Sequence, residues 1–387
     1  MSVNETVEIS VKGKWFQVPA LHVNGTSIVV KGKWIKIAVI HDEEWLETEV
    51  ADPALCVKTL KEQALGKHRA DIFSFSQKLP ATLPKYSYPM EWDSIAAIHI
   101  TTYKAWWDNV PQETRKNVRR SLKRGVLVGV KELDISLVQD LLDLNNDAPV
   151  RQGKPFTHFG KTYDQVARDQ SSFLDRSDYI CAYAGDELIG VVKVVYRGEV
   201  ASILTFLSKK SQHDKRPANA LMARAVELCE KKNISYLIFG MFNYGNKRDT
   251  PLREFKIRNG FEEILVPHFF VPLTVKGAIS LKLKLHRGLL GLLPHGVITL
   301  LVNARAKFQQ FRMSRCSSML EPPNSNRQMG LTGWSGDGSG GRNAPGAARL
   351  GAGSRGFFSH HMTGLTPRSG ALLSRPQSSG ARAPPHS

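Results

Sequence analysis

The hydrophobic and polar positions between residues 179 and 272 follow a regular order. Short runs in which apolar residues alternate or cluster are separated by Gly-containing turns, which predicts antiparallel strands. An apolar stripe with helical spacing then follows Pro217, a residue that helices accept in their first turn. The pattern predicts three strands, a helix, a strand, a short helix and a last strand, at 179–183, 189–196, 200–207, 217–231, 234–240, 252–259 and 261–271.

The residues before this segment predict further strands and helices. Residues 7–50 alternate around an Asn24-Gly25 turn, and Asn-Gly between alternating strands is the strongest short signal for a β-hairpin. Asp52 followed by proline is a good start for a helix. The remaining predicted elements are strands at 71–75, 95–100 and 126–130 and helices at 52–64, 135–145 and 163–174.

The order of elements resembles that of the GNAT acyltransferase core. Within it, three segments are similar to FemAB-like aminoacyl and acyl transferases, a branch of that fold: the basic segment 115–126, Arg-Pro-Ala-Asn-Ala-Leu at 216–221 and Leu-Arg-Glu-Phe-Lys-Ile-Arg-Asn-Gly-Phe at 252–261. We therefore expect an α/β fold, α+β in its mixed sheet, with a GNAT-like acyltransferase core. The resemblance implies transfer of an acyl or aminoacyl group to an amine.

The resemblance also divides the chain, because FemAB-like proteins carry two GNAT-like halves. The predicted regions are a β-hairpin N-terminus, a smaller degenerate GNAT-like half, the GNAT-like core, an amphipathic basic helical pair and a disordered tail, at 1–50, 51–125, 126–274, 275–313 and 314–387. The tail is rich in Gly, Ser, Pro and Arg, and such a composition buries too little apolar surface to offset the entropy of ordering.

The composition says more about the kind of partner that the protein binds than about its fold. The formal net charge of +18 favours anionic partners such as nucleic acid, nucleotides or lipid headgroups. The four cysteines show no CxxC spacing, so we expect no metal site and a reduced cytoplasmic setting. The N-terminus lacks the pattern of a signal peptide, and no apolar run is long enough to predict a membrane span.

Two basic segments suit an anionic partner. Residues 115–124 are mostly basic, with Val118 and Leu122 on the predicted buried stripe, and such a helix suits the phosphates of a tRNA or forms a solvated basic face. At 276–312, leucines flanked by lysine and arginine predict an interfacial helical hairpin on an anionic membrane. A helical pair that completes the core explains the second pattern equally well.

The loop at 149–160 is dense in groups that bind ligands. In the GNAT fold this connection lies over the acceptor site, so the resemblance implies substrate contacts for Arg151 and Phe159. It implies a general-base role for His158, because the ordinary pKa of histidine is near neutrality. The alternative is a loop histidine that is bonded to water.

The helix start at Pro217 is where the resemblance places an anionic donor, either acyl-CoA or aminoacyl-tRNA. GNAT enzymes hold pyrophosphate there on backbone amides, through glycines that allow close approach. Here Asn219 and Leu221 replace both glycines, and proline removes an amide donor. We therefore expect Lys215, Arg216 and Asn219 to bind the anion and acetyl-CoA not to bind in the standard manner.

Three further residues are expected to take part in the reaction. Lys256 matches the recurring Phe-Lys of the family, and the resemblance implies that it stabilises a phosphate or a developing oxyanion. A surface ion pair with a neighbouring glutamate is the other explanation. Asn243 is predicted to bind substrate and Tyr244 to act as a general acid, although a tyrosine packed at a strand end is equally ordinary.

The leading hypothesis is a GNAT/FemAB-like transferase, cytoplasmic and peripheral to a membrane, that acts by direct attack of an amine. The alternative is a non-catalytic GNAT-fold module that binds an anionic ligand or a membrane surface. The missing glycine turn favours the module, whereas the polar groups at 151–158 and 243–256 favour the enzyme.

Overall fold

The structure is a computed structural model, and it describes residues 4–11, 14–41, 46–47, 49–63, 66–151, 154–243 and 250–287. The described residues up to Leu281 belong to one compact unit. Residues 282–287 belong to a second unit, in which Leu285–Arg287 form one turn of 3-10 helix. The predicted tail at 314–387 and most of the predicted helical pair lie outside the described residues.

The described chain contains the following strands and helices. The strands are β1 (Asn4–Val11), β2 (Lys14–Val23), β3 (Thr26–Lys31), β4 (Ile37–Ile40), β5 (Ile72–Ser76), β6 (Met90–His99), β7 (Val126–Lys131), β8 (Val150–Arg151), β9 (Lys154–Pro155), β10 (Ser177–Ala184), β11 (Glu187–Arg197), β12 (Val200–Ser208), β13 (Tyr236–Met241) and β14 (Glu262–Pro272). The helices are α1 (Pro53–Glu62), α2 (Tyr103–Asn109), α3 (Gln112–Lys123), α4 (Ile135–Asn145), α5 (Tyr163–Gln170), α6 (Pro217–Lys231), α7 (Pro251–Arg258) and α8 (Val275–Lys282).

The predicted order of the core is confirmed. Strands β10, β11 and β12 form an antiparallel meander, β7 pairs with β10, and β12 pairs in parallel with β13 after the helix α6. A parallel pair needs such a crossover connection. The fold is therefore the expected mixed sheet with the GNAT order of elements.

A single sheet runs through both halves of the chain. Its twelve strands lie in the order β1-β2-β3-β4-β5-β14-β6-β13-β12-β11-β10-β7, and β8 and β9 form a separate pair. Strand β6, from the N-terminal half, lies between β13 and β14 and is antiparallel to both. The predicted boundaries at 50/51 and 125/126 therefore do not interrupt the sheet.

Helix α6 packs on one face of the sheet, together with α2, α3 and α7. Its residues Leu221, Met222, Ala225 and Val226 share a core cluster with apolar residues of β11, β12 and β13. The helix approaches β11 closely at Gly190, where an added Cβ would lie 2.9 Å from Leu221 Cδ1. The absence of a side chain at Gly190 lets Leu221 pack directly against the strand.

The predicted buried stripe of the basic helix is partly wrong. In α3 the buried residues are Thr114, Val118 and Ser121, whereas Leu122 is 60% exposed. The three buried positions are spaced at i, i+4 and i+7, and this spacing turns Leu122 away from the core. The buried stripe therefore includes two small polar residues, which a search for apolar positions does not find.

The other face of the sheet is covered over β10–β12 by α4 and α5. Leu137, Leu141, Leu144 and Val166 pack there against residues of β10 and β11. Helix α8 packs its Gly277 against the backbone of Asp71 so closely that an added Cβ would be 1.9 Å from the Asp71 oxygen. Among the helices that the structure describes, none has both the length and the apolar character needed to span a bilayer.

Candidate functional site

The parallel strands β12 and β13 pair over only three residues each. Val200, Ala201 and Ser202 face Tyr236, Leu237 and Ile238, although β12 continues to Ser208 and β13 to Met241. The ladder between them therefore stops before the strands end. On the α6 face the space is filled by aromatic rings, because Phe206 lies 5.6 Å from Phe239 and 5.2 Å from Phe255. The ends of these two strands form the candidate site.

Lys256 lies at this site and is fully buried. Its helix α7 begins with Thr250 as N-cap, whose hydroxyl accepts from the amide of Arg253, and Pro251 occupies the first turn. Lys256 Nζ donates to the Met241 carbonyl at 2.6 Å and lies 4.8 Å from the centre of the Phe239 ring. It is not the surface ion pair that the alternative explanation required.

Burial sets the protonation of this amine. Because the charged form is poorly solvated there, burial lowers the pKa of Lys256 to about 7. Both the ammonium and the neutral amine are therefore populated near neutral pH. An ammonium in such a dry position interacts more strongly with a developing negative charge than one in water does.

Asn243 joins a polar cluster directly after β13. Its Nδ2 donates to Glu263 Oε1 at 2.9 Å, and its Oδ1 accepts from Arg253 Nε at 3.1 Å. Ser94 Oγ donates to the same glutamate oxygen at 2.5 Å. The sequence did not indicate Ser94, Arg253 or Glu263 as parts of one cluster. Ser94 on β6 and Glu263 on β14 are 169 residues apart in the chain, and only the pairing of these strands brings them together. Tyr244, predicted as a general acid, lies outside the described residues.

Asn219 connects the helices α6 and α7. Its Nδ2 donates to Asn259 Oδ1 at 3.4 Å, and Asn259 in turn donates to the Phe255 carbonyl at 2.7 Å. The indole of Trp106 donates to the Asn259 carbonyl at 2.9 Å. Asn219 is only 6% exposed, so its side chain is part of the packing at the start of α6.

The start of α6 does not fit the standard grip on a pyrophosphate. Pro217, Ala218, Asn219 and Ala220 are all buried, so the first turn is covered by the protein itself. Arg216, the N-cap, has a φ of +58°, a left-handed conformation that is unfavourable for residues other than glycine. Of the two predicted anion-binding cations, Lys215 donates to Gln212 Oε1 at 2.6 Å and Arg216 is half-buried.

Arg151 anchors its loop to the end of β12. Its guanidinium donates to the carbonyls of Ser208 at 2.8 Å and Leu144 at 3.3 Å, and it lies 4.4 Å from the centre of the Phe156 ring. Burial lowers the pKa of Arg151, an effect that the carboxylate of Asp147 opposes. The residue is therefore buried at the edge of the candidate site, where it holds the backbone of Ser208.

His158 lies on the α4–α5 face, opposite the face of Lys256. Its ring is 5.3 Å from that of Phe156, and its Nδ1 is 3.8 Å from Asp169 Oδ2, which also pairs with Lys161. The neighbouring Phe159 is exposed. The structure thus brings Lys256 and Asn243 together at the end of β13, and it places His158 in a different environment.

Two observations concern other kinds of site. Within the described ranges, no three His, Cys, Asp or Glu side chains come together as a metal site. A surface cavity of about 270 Å³ lies beside Leu79, Arg197 and Val200, and none of the predicted site residues lines it. This cavity and the expected chemistry therefore occur in different places.

The chain is similar to several solved structures. One is FemX, similar over 73% of this chain and 90% of that one, with 11% identity and a TM-score of 0.46. Another is the C-terminal domain of a putative lysylphosphatidylglycerol synthetase from Agrobacterium fabrum, over 68% and 87%, with 15% identity and a TM-score of 0.45. A tandem GNAT protein from the clavulanic acid biosynthesis pathway is similar over 67% and 83%, with 12% identity and a TM-score of 0.34.

These neighbours are proteins of the kind that the predicted GNAT and FemAB-like resemblance names. With TM-scores below 0.5 and identities of 15% or less, they carry no argument about what this chain does. The fold assignment rests on the order of elements and the strand connections described above. No protein-family model matches the chain, and no curated protein matches it.

Proposed function

We propose that the protein is an acyl or aminoacyl transferase that moves its group to an amine. The observation that carries this proposal is the buried ammonium of Lys256 at the point where the ladder between β12 and β13 stops. A dry cation beside strand ends that no longer pair is suited to stabilise negative charge on a reacting carbonyl or a donor phosphate. The element order of a GNAT core supports the same reaction class.

The reaction needs no nucleophile from the protein. The nitrogen of the acceptor amine attacks the carbonyl carbon of the donor, a C–N bond forms, and the bond to the leaving sulfur or oxygen breaks. The buried positive charge of Lys256 stabilises the oxygen that becomes negative through its electrostatic field, and the proton that the attacking amine loses ends on the leaving group. The carboxylate of Glu263, fixed by Ser94 and Asn243, attracts and orients the acceptor as its ammonium ion, which loses one proton to water before the neutral nitrogen attacks.

The donor is an anion held mainly by side chains. The first turn of α6 is buried and begins with proline, so successive free amides are not presented as acyl-CoA binding requires. Lys215 and Arg216 lie at this end of the helix. The basic helix α3 shares a core cluster with α6. Arg119 of α3 lies 5.5 Å from the centre of the Trp107 ring. Basic side chains that track phosphates, next to aromatic rings, suit nucleic acid. Aminoacyl-tRNA is therefore favoured over acyl-CoA.

The test is a screen of donors and acceptors by mass spectrometry. Purified protein is incubated with acyl-CoAs or charged tRNAs and a panel of amines, and acylated amines are measured. The expected result is transfer from an aminoacyl-tRNA that is lost in Lys256→Met. Lys193→Met is the matched control, because it removes an equally buried lysine from the opposite face of the sheet. No transfer from any donor, or transfer unaffected by Lys256→Met, would contradict the proposal.

A second candidate function is membrane binding by a module without catalysis. The observation that favours it is on α8, where Val275 and Ile279 are 79% and 54% exposed one helical turn apart. Between them Lys276 pairs with Asp71 and lies 5.9 Å from the centre of the exposed Trp34 ring. Exposed apolar and aromatic residues beside lysine are typical of a surface that enters the headgroup region.

Flotation with vesicles tests this second function separately from transfer. We expect the full chain to float with vesicles that contain phosphatidylglycerol and to float less with neutral vesicles. The variant Val275→Asp/Ile279→Asp should reduce flotation, whereas Leu83→Asp, which changes an exposed leucine elsewhere, should not. If both variants float equally well, α8 is not part of the membrane-binding surface. That result would leave the transferase proposal untouched, because flotation does not measure transfer.

A further inference from the structure

Strands β5, β14 and β6 bring a serine, a histidine and an aspartate together. In the sheet register His268 faces Ser76, Phe270 faces Ser74, and Asp93 faces Val266. Side chains two apart on a strand point to the same face, so Ser74, Ser76, Asp93 and His268 all lie on one face. Ser94, which contacts Glu263 in the candidate transferase site, follows Asp93 and points to the other face.

The distances are those of a nucleophile, a base and an orienting carboxylate. Ser74 Oγ lies 2.5 Å from His268 Nε2, and His268 Nδ1 lies 2.7 Å from Asp93 Oδ2. Ser76 Oγ is 3.0 Å from His268 Nδ1 and 3.3 Å from Asp93 Oδ2. These are hydrogen-bond lengths, and the order Ser–His–Asp is the arrangement that activates a serine.

One tautomer of the histidine satisfies three of the four contacts, and leaves Ser76 Oγ beside an Nδ1 whose proton is already donated. If Nδ1 carries the proton, it donates to Asp93, and Nε2 is left to accept from the hydroxyl of Ser74. Ser76 then donates to Asp93, which fixes the carboxylate from a second side. The ring of His268 is further fixed by Phe270, whose ring is stacked at 4.6 Å with an interplanar angle of 13°. The base is thus held in the orientation that removes a proton from Ser74.

Access to this site is narrow but open. The side chains of His268 and Asp93 are 20% and 26% exposed, whereas Ser74 is 4% exposed. We therefore expect only a compact acyl donor to reach the hydroxyl. Burial of Ser74 beside its base also reduces competition from bulk water for the hydroxyl proton.

We propose that Ser74, His268 and Asp93 form a second reactive site, at which Ser74 accepts an acyl group from a small ester. Ser74 Oγ attacks the ester carbonyl, its proton passes to His268 Nε2, and a new C–O bond forms to the serine. The bond to the leaving alkoxide breaks, and the alkoxide takes the proton from His268. Water then hydrolyses the acyl-serine by the reverse sequence of proton transfers, so that ester and water give acid and alcohol.

The strand geometry predicts which step is slow. Strand β5 pairs with β14 from Ile72 to Ser76 and with β4 from Ile72 to Ser74, so the backbone at Ser74 is committed to the sheet on both sides. Donors to an oxyanion contribute about 10²–10³ in rate in serine hydrolases, and the strand at Ser74 is not shaped to supply them. We expect acylation by an activated ester to outrun hydrolysis, and the acyl-enzyme to accumulate.

The experiment uses p-nitrophenyl acetate on the full chain. The expected result is a burst of p-nitrophenol, a mass increase of one acetyl group on the intact protein, and an acetyl group on Ser74 after peptide mapping. Ser74→Ala should abolish that adduct, and His268→Gln should slow its formation at least about tenfold, since it removes the base. Ser202→Ala, which changes an equally buried serine on β12, is the matched control and should acetylate as the wild type does.

Two results would overturn the proposal. One is that the wild type carries acetyl groups only on lysine amines or on side chains other than Ser74. This result does not depend on whether any variant folds. The other is equal labelling of wild type and a folded Ser74→Ala. The site is independent of the transferase proposal, because it lies on the opposite face of the sheet from Lys256 and uses no residue of that site.

Discussion

Lys193 and Lys256 have nearly the same physical surroundings on opposite faces of the sheet. Both are fully buried, and burial lowers the pKa of each to about 7. Each ammonium lies over an aromatic ring, at 4.9 Å from the centre of Tyr179 for Lys193 and 4.8 Å from that of Phe239 for Lys256. Each also donates to the backbone, Lys193 to two carbonyls and Lys256 to that of Met241.

The two lysines differ in which carbonyls they bind. Lys193 donates to the carbonyls of Gln170 at 2.7 Å and Ser172 at 2.5 Å, at the end of α5, where the last carbonyls of a helix lack partners within it. Lys256 binds Met241 at the end of β13, where pairing with β12 has already stopped. Depth and a lowered pKa therefore do not identify a reactive lysine. What distinguishes the two lysines is the backbone element that the ammonium binds: Lys193 binds the end of a helix, as a cap, whereas Lys256 binds the end of a strand at the candidate site.

Replacing Lys256 by methionine gives the largest expected effect. Methionine keeps the length and apolar stem but removes the ammonium, so we expect transfer activity to fall by about 100-fold or more, as when one donor to an oxyanion is lost. Lys193→Met should keep at least half of the wild-type activity. The measurement is kcat/KM for the donor and acceptor found in the screen. Equal losses in both variants would show that burial alone, and not position, explains the effect.

The stability of the same two variants should rank in the opposite order. Lys193→Met leaves the buried carbonyls of Gln170 and Ser172 without this donor, so we expect a loss of about 1–3 kcal/mol in the free energy of unfolding. Tyr179 also donates to the Gln170 carbonyl, which limits the loss. Lys256→Met should cost less, because it removes the hydrogen bond to one carbonyl, that of Met241, whereas Lys193→Met removes hydrogen bonds to two. Urea unfolding measures both. If Lys256→Met lost more unfolding free energy than Lys193→Met, Lys256 would be the lysine with the structural role.

The comparison also shows what the sequence predicts well. The alternation in 179–207 and the helical stripe after Pro217 depend on neighbours in the chain, and the fold class and element order predicted from them are confirmed. Lys256 was predicted because a short local motif marks it. No such motif marks Lys193, whose partners lie at the end of α5 and just after it, about twenty residues away.

Contacts that depend on strand order could not be predicted in this way. The insertion of β6 between β13 and β14 brings Ser94 to Glu263, and the pairing of β5 with β14 brings Ser74 to His268 across 194 residues. Local patterns carry no information about which distant strands become neighbours. The wrong assignment of Leu122 has a different cause, because the buried stripe of α3 contains Thr114 and Ser121, which are polar.

Like the two lysines, Arg216 is a cation beside the end of a backbone element, in this case the start of α6. Arg216→Ala and Arg216→Gly both remove the guanidinium, and we expect each to weaken binding of the anionic donor by about tenfold, which corresponds to one charge-assisted hydrogen bond. Only glycine relieves the left-handed φ of +58°, so Arg216→Gly should be more stable than Arg216→Ala by about 1 kcal/mol. Donor titrations at two salt concentrations and urea unfolding check the two effects. Binding unchanged in both variants would exclude Arg216 from the donor site.

The pH dependence of stability gives the smallest effect and tests the premise that both lysines titrate near neutrality. The pKa of each is lowered in the folded state, to about 7, whereas in the unfolded chain it is about 10.4. Between these values the unfolded state binds more protons, so the two lysines make the free energy of unfolding rise with pH from about 7 to about 10. Below about pH 7 both states are protonated, and the dependence ends.

Each lysine variant removes one of these contributions and leaves the other titrating groups in place. Lys193→Met and Lys256→Met should therefore show a shallower rise than the wild type between about pH 7 and pH 9, and the double variant the shallowest. Urea unfolding at three pH values within that window gives the slopes, and the difference between proteins cancels the tyrosines and cysteines that also titrate there. A Lys193→Met slope equal to that of the wild type would mean that the carbonyls of Gln170 and Ser172 hold the ammonium strongly enough to offset its burial. Lys193 would then be a permanently charged helix cap, and a shallower slope in Lys256→Met alone would distinguish the two lysines by charge as well as by position.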